Sequence, residues 1–308
     1  MIELLLLAAA LSFVFGWNNS SFLIGNLIGS GTMTARSSIV LAMVGILAGV
    51  LLEGSKMVKS LDGALAGTAT NYGLEVTFVV ALGVTLGLTA LSLPASISAI
   101  MVGAFLGVSV YSGVPVNINQ TYLVIAFWFT APLLTGLVAF VLHRGVRRMI
   151  AGLSLVGVDS FNRVGAVITS MAVAYTLGAN NVGLIYGTAL AGASGSDLFV
   201  AIGLTLVAML GTALLGKRNV SGTLGDRMLV LSPQGVLAAF LGSAILVWVG
   251  TQLSVPMSIS HCILGGMLGA AFSSRVAVVN RRITLESIST WVVTPTVAFI
   301  VAYVAMAV

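Results

Sequence analysis

An all-α, polytopic membrane fold built from two inverted-topology repeats with broken or re-entrant helices is what this sequence predicts, and three observations carry that expectation. Apolar side chains make up 58% of the 308 residues and charged ones only 7%. The apolar residues fall into about ten long runs. A set of motifs then returns at a constant distance along the chain.

Composition sets the solvent. A soluble domain carries about 25% charged residues, and a chain with a mean hydropathy of +1.14 could not cover a water-facing surface. The net charge of +5 does not point to nucleic acid, because the basic residues sit in short gaps between apolar runs. Arg144, Arg147 and Arg148 form one such cluster, and Arg275, Arg281 and Arg282 another. Cytoplasmic loops accumulate Lys and Arg, so these clusters read as topology signals and no nucleic-acid partner is expected. The single cysteine, Cys262, leaves no intramolecular disulfide to form. The Met1-Ile2-Glu3 start lacks the basic region of a signal peptide, so the first apolar run is expected to stay in the mature chain.

A spanning helix needs roughly 20 mainly apolar residues. That rule places segments at 2–31 (too long for one span, with a break near residue 16), 34–52, 75–93, 95–111 and 121–142. After a basic gap come 164–193, again long and interrupted, then 197–215, 235–253, 257–273 and 287–308. The stretches 54–73 and 216–234 are too polar for lipid-exposed helices and read as loops or re-entrant pieces. The expected organisation is a first repeat over 1–142, a basic linker over 143–163 and a second repeat over 164–308. Five segments per half is odd, so the second half enters the membrane from the opposite side. With the linker in the cytoplasm, both termini fall outside a multi-pass cell-membrane protein.

The repeat keeps one register. Gly16-Trp17-Asn18-Asn19 returns as Gly178-Ala179-Asn180-Asn181, and Pro94-Ala95-Ser96-Ile97-Ser98 returns as Pro256-Met257-Ser258-Ile259-Ser260, each 162 positions later. Without a gap, the same offset pairs Gly25 with Gly187, Gly49 with Gly211, Gly54 with Gly216, Gly103 with Gly265 and Gly107 with Gly269. Chance coincidence in a Gly- and Leu-rich chain does not hold one register over such a length. Inverted repeats of this kind are common in secondary transporters.

Both motifs put polar groups at membrane depth. Asn18, Asn19, Asn180 and Asn181 lie inside apolar segments, where unpaired amides are costly and must face protein or a water-filled cavity. Bonding between helices would explain a lone asparagine; a duplicated pair at matched depth favours a site. Pro94 and Pro256 suit the first turn of a helix, and Ser96, Ser98, Ser258 and Ser260 then bring hydroxyls to that turn. Serine capping alone would explain each copy. Two such helix starts near the midplane would also make an oxyanion cradle without a buried Lys or Arg.

His261 occurs only in the second half, where its counterpart is Ala99. A proton carrier or substrate contact and a hydrogen-bonded interior histidine are both open readings. No nucleophile–base pair, paired carboxylates or metal-ligand cluster lies at membrane depth, so an enzyme is not expected, nor a metal or cofactor.

Together the two motifs resemble the inorganic phosphate transporter (PiT) family, whose signature is Gly-Ala-Asn-Asp-Val-Ala-Asn in each half with Pro-Val-Ser-Thr-Thr-His later in the half. The resemblance covers almost the whole chain, including the late Trp291-Val-Val-Thr294-Pro295 run. It implies a permease for phosphate, coupled to Na⁺ or H⁺, with sulfate or another oxyanion, or anion binding without transport, as alternatives; it also allows a homodimer. Asn18, Asn180 and the four serines would bind substrate, and Asn19, Asn181 and His261 are the candidates for coupling. The chain departs from the signature where Asn19 and Asn181 replace the family's aspartates. An amide can offer Na⁺ a carbonyl oxygen but cannot titrate as a proton carrier.

Overall fold

The computed structural model describes residues 2–60, 70–90, 95–190, 197–220, 231–274 and 281–307, so Pro94 lies outside the described residues. The first half contains α1 (Ile2–Asn18), a π turn (Ser21–Gly25), α2 (Asn26–Gly29), α3 (Ala35–Glu53), α4 (Ser55–Ser60), α5 (Asn71–Ala90), α6 (Ile97–Tyr111) and α7 (Ile118–Ile150). The second contains α8 (Leu155–Thr176), a π turn (Leu177–Val182), α9 (Gly183–Ala189), α10 (Leu198–Val220), α11 (Pro233–Gln252), α12 (Ile259–Ser274) and α13 (Arg281–Ala305). No strand occurs among the described residues.

Each apolar run corresponds to an element, as lipid requires when every backbone group must be satisfied within the segment. Among the described residues, six helices are long and apolar enough to cross a membrane. The first long run breaks after Asn18, slightly later than expected, and bends by 46° into the π turn and α2. At 1.5 Å per residue, the 15 residues of α6 and 16 of α12 span only about 22–24 Å, short of the ~30 Å hydrocarbon core. They are the short, membrane-embedded helices of each half. The 143–163 stretch is mostly helical: α7 runs to Ile150 and α8 starts at Leu155, leaving a four-residue turn.

The halves are interleaved rather than side by side. Helix α1 packs on α10 and α3 on α8; likewise α6 packs on α13 and α12 on α7. Glycines set these crossings. Gly16 lies against the Ala208 carbonyl, and Gly178 against the Ile46 carbonyl. Gly49 lies against Tyr175, and Gly211 against Phe13. In repeat numbering, position 16 of one copy meets position 46 of the other, and the converse holds. That reciprocity defines an isologous contact between two copies. Gly103 and Gly107 of α6 approach Pro295 and Phe299, while Gly265 and Gly269 of α12 approach Pro132 and Gly136. A Cβ at any of these eight would overlap a backbone carbonyl, so the helices touch backbone to backbone, as small residues permit in membranes.

Candidate functional site

The site begins with two equivalent helix starts. Ser96 is extended (φ −94°, ψ 93°), and its Oγ accepts from the Ala99 N–H at 3.3 Å, capping α6. In the second half the Ser258 Oγ accepts from the His261 N–H at 3.4 Å, 162 positions on. The first intrahelical bonds are Ile100 N–H to Ser96 O and Cys262 N–H to Ser258 O. The N–H groups of Ile97, Ser98, Ile259 and Ser260 therefore stand outside the helical ladder, as at any helix N-terminus. Pro256 does not occupy the first turn as its sequence context suggested. It lies three residues before α12, because Ser258 takes the cap position, and its carbonyl accepts from Trp128 Nε1 at 3.1 Å.

The two starts meet across the repeats. Ser98 Oγ donates to the Met257 carbonyl at 2.6 Å. Asn181 Nδ2 donates to Ser98 Oγ at 3.3 Å and to the Met257 carbonyl at 3.4 Å. One hydroxyl of the first half, one amide of the second and the backbone leading into α12 thus converge. Asn180 is engaged at both ends of its amide. Its Nδ2 donates to Thr251 Oγ1 and the Val255 carbonyl, both at 3.0 Å, and its Oδ1 accepts from the Met257 N–H at 2.8 Å. The segment it holds starts from a tight C-terminal turn of α11. There Ser254 takes a left-handed conformation (φ 54°) and Val255 N–H closes on the Gly250 carbonyl at 2.8 Å.

The first-half asparagines are arranged differently. Asn18 Nδ2 donates to Thr89 Oγ1 at 2.9 Å, and Asn19 Nδ2 turns back to the Phe15 carbonyl of its own helix at 3.0 Å. Among the described residues, no hydrogen bond ties either to the starts of α6 or α12. Ser260 Oγ pairs with Ser258 Oγ at 3.1 Å. His261 is buried, stacked on Trp291 with ring centroids 4.5 Å apart. Thr89 and Thr251 were not singled out by sequence reasoning, although they lie 162 positions apart and the repeat register would have found them.

The electrostatics rest on dipoles. No described acidic or basic side chain hydrogen-bonds any of these residues, whereas each helix N-terminus carries about half a positive charge. A charged cluster bonds Gln252, the residue after Thr251: Glu53 accepts from Gln252 Nε2 and from Lys56, both at 3.1 Å, and Lys56 also bonds Gln252. No group of His, Cys, Asp and Glu able to hold a metal occurs among the described residues. Chemically, such a site gathers N–H groups outside the helical ladder, hydrogen-bonded hydroxyls and neutral carbonyl oxygens at the two helix starts.

A family model, the phosphate transporter family, matches residues 15–302. This chain belongs to that family. Its relatives include a protein of Methanocaldococcus jannaschii named as a phosphate permease, 26% identical over 97% of this chain and 95% of that one. A low-affinity inorganic phosphate transporter of Bacillus subtilis is 24% identical, with 95% and 92% covered. The sulfate permease CysP of the same organism is 23% identical, over 94% of this chain and 82% of its own. A solved structure titled the sodium-dependent phosphate transporter superposes with a TM-score of 0.81 at 17% identity, covering 99% of both chains. The fold is therefore that of this transporter.

Proposed function

We propose that this chain is a multi-pass permease that carries inorganic phosphate across the cell membrane by alternating access, with the starts of α6 and α12 as its substrate cradle. The cross-repeat meeting of Ser98, Asn181 and the Met257 carbonyl, in a chain of the phosphate transporter family, carries this reading. Ser260 and the first-turn N–H groups outside the helical ladder supply donors to the oxyanion, Ser98 ties the start of α6 to the segment entering α12, and Ser96 and Ser258 set the two helix starts. Asn18 and Asn180 act by holding Thr89 and Thr251, the latter also fixing the backbone that enters α12.

Sodium is the coupling ion these residues favour, since amides offer oxygens and carry no titrating proton. Asn19 is the proposed position, because its Nδ2 is spent on the Phe15 carbonyl and its Oδ1 is the arm of the amide that can offer an oxygen to a cation. The repeats run over 1–142 and 164–308. The basic 143–163 stretch faces the cytoplasm and both termini face out. Sulfate is a second reading, favoured by the similarity to a sulfate permease. In proteoliposomes, an inward Na⁺ gradient should drive radiolabelled phosphate uptake, and a pH gradient alone should not. Absence of phosphate uptake under any gradient would defeat this reading.

A further inference from the structure

The second-half motif contains a buried acceptor that no described group satisfies. Asn181 is 4% exposed, and its Oδ1 has no hydrogen-bond partner among the described residues. The amide's orientation is determined by chemistry. The Met257 carbonyl can only accept, and it already takes the Ser98 hydroxyl, so the Asn181 atom facing it must be the NH₂ group. The carbonyl oxygen is thereby the other arm of the fork, at the place where the two helix starts meet. Asn180, one residue earlier, shows the contrast: its Oδ1 is spent on the Met257 N–H. Of these two adjacent amides, one is a clamp and the other keeps an acceptor open.

An acceptor among donors is informative about the anion. At neutral pH sulfate and selenate carry no proton, and every oxygen they present is an acceptor. Phosphate and arsenate retain one or two protons and can donate. Facing Asn181 Oδ1, a P–OH group makes a hydrogen bond, whereas a sulfate oxygen meets a lone pair in a buried setting. A site that hydrogen-bonds a substrate hydroxyl discriminates strongly against analogues lacking it, because its own polar group is then left unpaired.

We propose that Asn181 is the specificity-determining residue of the cradle, its Oδ1 accepting a hydrogen bond from a protonated oxygen of the substrate, so that proton-bearing oxyanions are admitted and fully deprotonated ones are rejected. This rests on the reading of the chain as a phosphate permease and goes beyond it by naming how sulfate is refused.

The test is inhibition of radiolabelled phosphate uptake into proteoliposomes holding the full chain, by arsenate, sulfate and selenate. For the unsubstituted protein, arsenate should compete at concentrations comparable to phosphate, and sulfate and selenate should need about 100-fold more. Asn181→Leu keeps the branched shape and removes the acceptor together with the Nδ2 donor, and should bring the sulfate-to-phosphate ratio to within about threefold. Asn181→Asp restores an acceptor and should restore the rejection of sulfate. If the leucine variant does not transport, phosphate and sulfate binding to the purified protein, followed as ligand-induced thermal shifts, reads the same ratio. An unchanged ratio in Asn181→Leu overturns the proposal. So does a set of variants that alters only Na⁺ activation, which would place a cation on the amide oxygen. Uptake of sulfate but of neither phosphate nor arsenate by the unsubstituted protein would remove the permease reading itself, an outcome separate from the other two.

Discussion

The two asparagine pairs are 162 residues apart and nearly identical in sequence, yet they are held differently. In the second half the π turn covers the motif, from Leu177 to Val182. In the first half it follows the motif, from Ser21 to Gly25. Asn180 is fully buried and makes three hydrogen bonds, whereas Asn18 is partly exposed and makes one, to Thr89. Asn181 reaches the opposite repeat, and Asn19 returns to its own helix. The polar cluster of Glu53, Lys56 and Gln252 is one-sided as well, since the repeat counterparts of Glu53 and Gln252 are Leu215 and Ala90. The glycine crossings, by contrast, are reciprocal. A symmetric frame of backbone contacts therefore carries an asymmetric lining, which is what a carrier needs if one side of its site is closed while the other is not.

That comparison can be broken at several points. The largest effects belong to the frame. Gly16→Leu and Gly178→Leu each push a side chain into a backbone carbonyl of the other repeat, so both should abolish monodisperse protein on gel filtration, and to the same degree. Unequal tolerance would show that the frame is not symmetric.

The lining should respond unequally. Asn180→Leu strands the Met257 N–H and the Val255 carbonyl and removes the bond to Thr251, and should cost about 3 kcal/mol. Asn18→Leu loses one contact and should cost about 1 kcal/mol. Thermal unfolding of the two variants in detergent checks the order. Equal losses would contradict the asymmetry.

The smallest effect concerns helix ends. α6 terminates with Gly113 in the left-handed region (φ 65°), while α11 uses Ser254 there. Ser254→Gly should therefore stabilise the protein by about 1 kcal/mol, and Gly113→Ser should destabilise it by a similar amount.

Most of the architecture was readable because lipid is a demanding solvent. It forces whole apolar helices, so α3, α6, α11 and α12 begin and end within two residues of the predicted runs. Duplication exposed Asn18, Asn19, Ser96, Ser98 and their partners, since one register repeated. What escaped reading depended on contacts between distant segments. Whether Asn181 bonds Ser98 or its own helix is decided by how α6 docks, and the identical Asn-Asn string in the first half resolves the other way. The 143–163 stretch is largely helical because Arg and Leu are good helix formers, a tendency that charge counting does not see. Thr89 and Thr251 look like ordinary interior hydroxyls until an asparagine is seen beside each.

The most direct measurement is phosphate uptake by Ser98→Ala in proteoliposomes, beside Asp159→Ala, which alters only an exposed pair with Arg163. If the starts of α6 and α12 form one cradle, losing the Ser98 hydroxyl should cut uptake at least tenfold, and Asp159→Ala should transport normally. Uptake by Ser98→Ala equal to the unsubstituted protein would contradict a shared cradle.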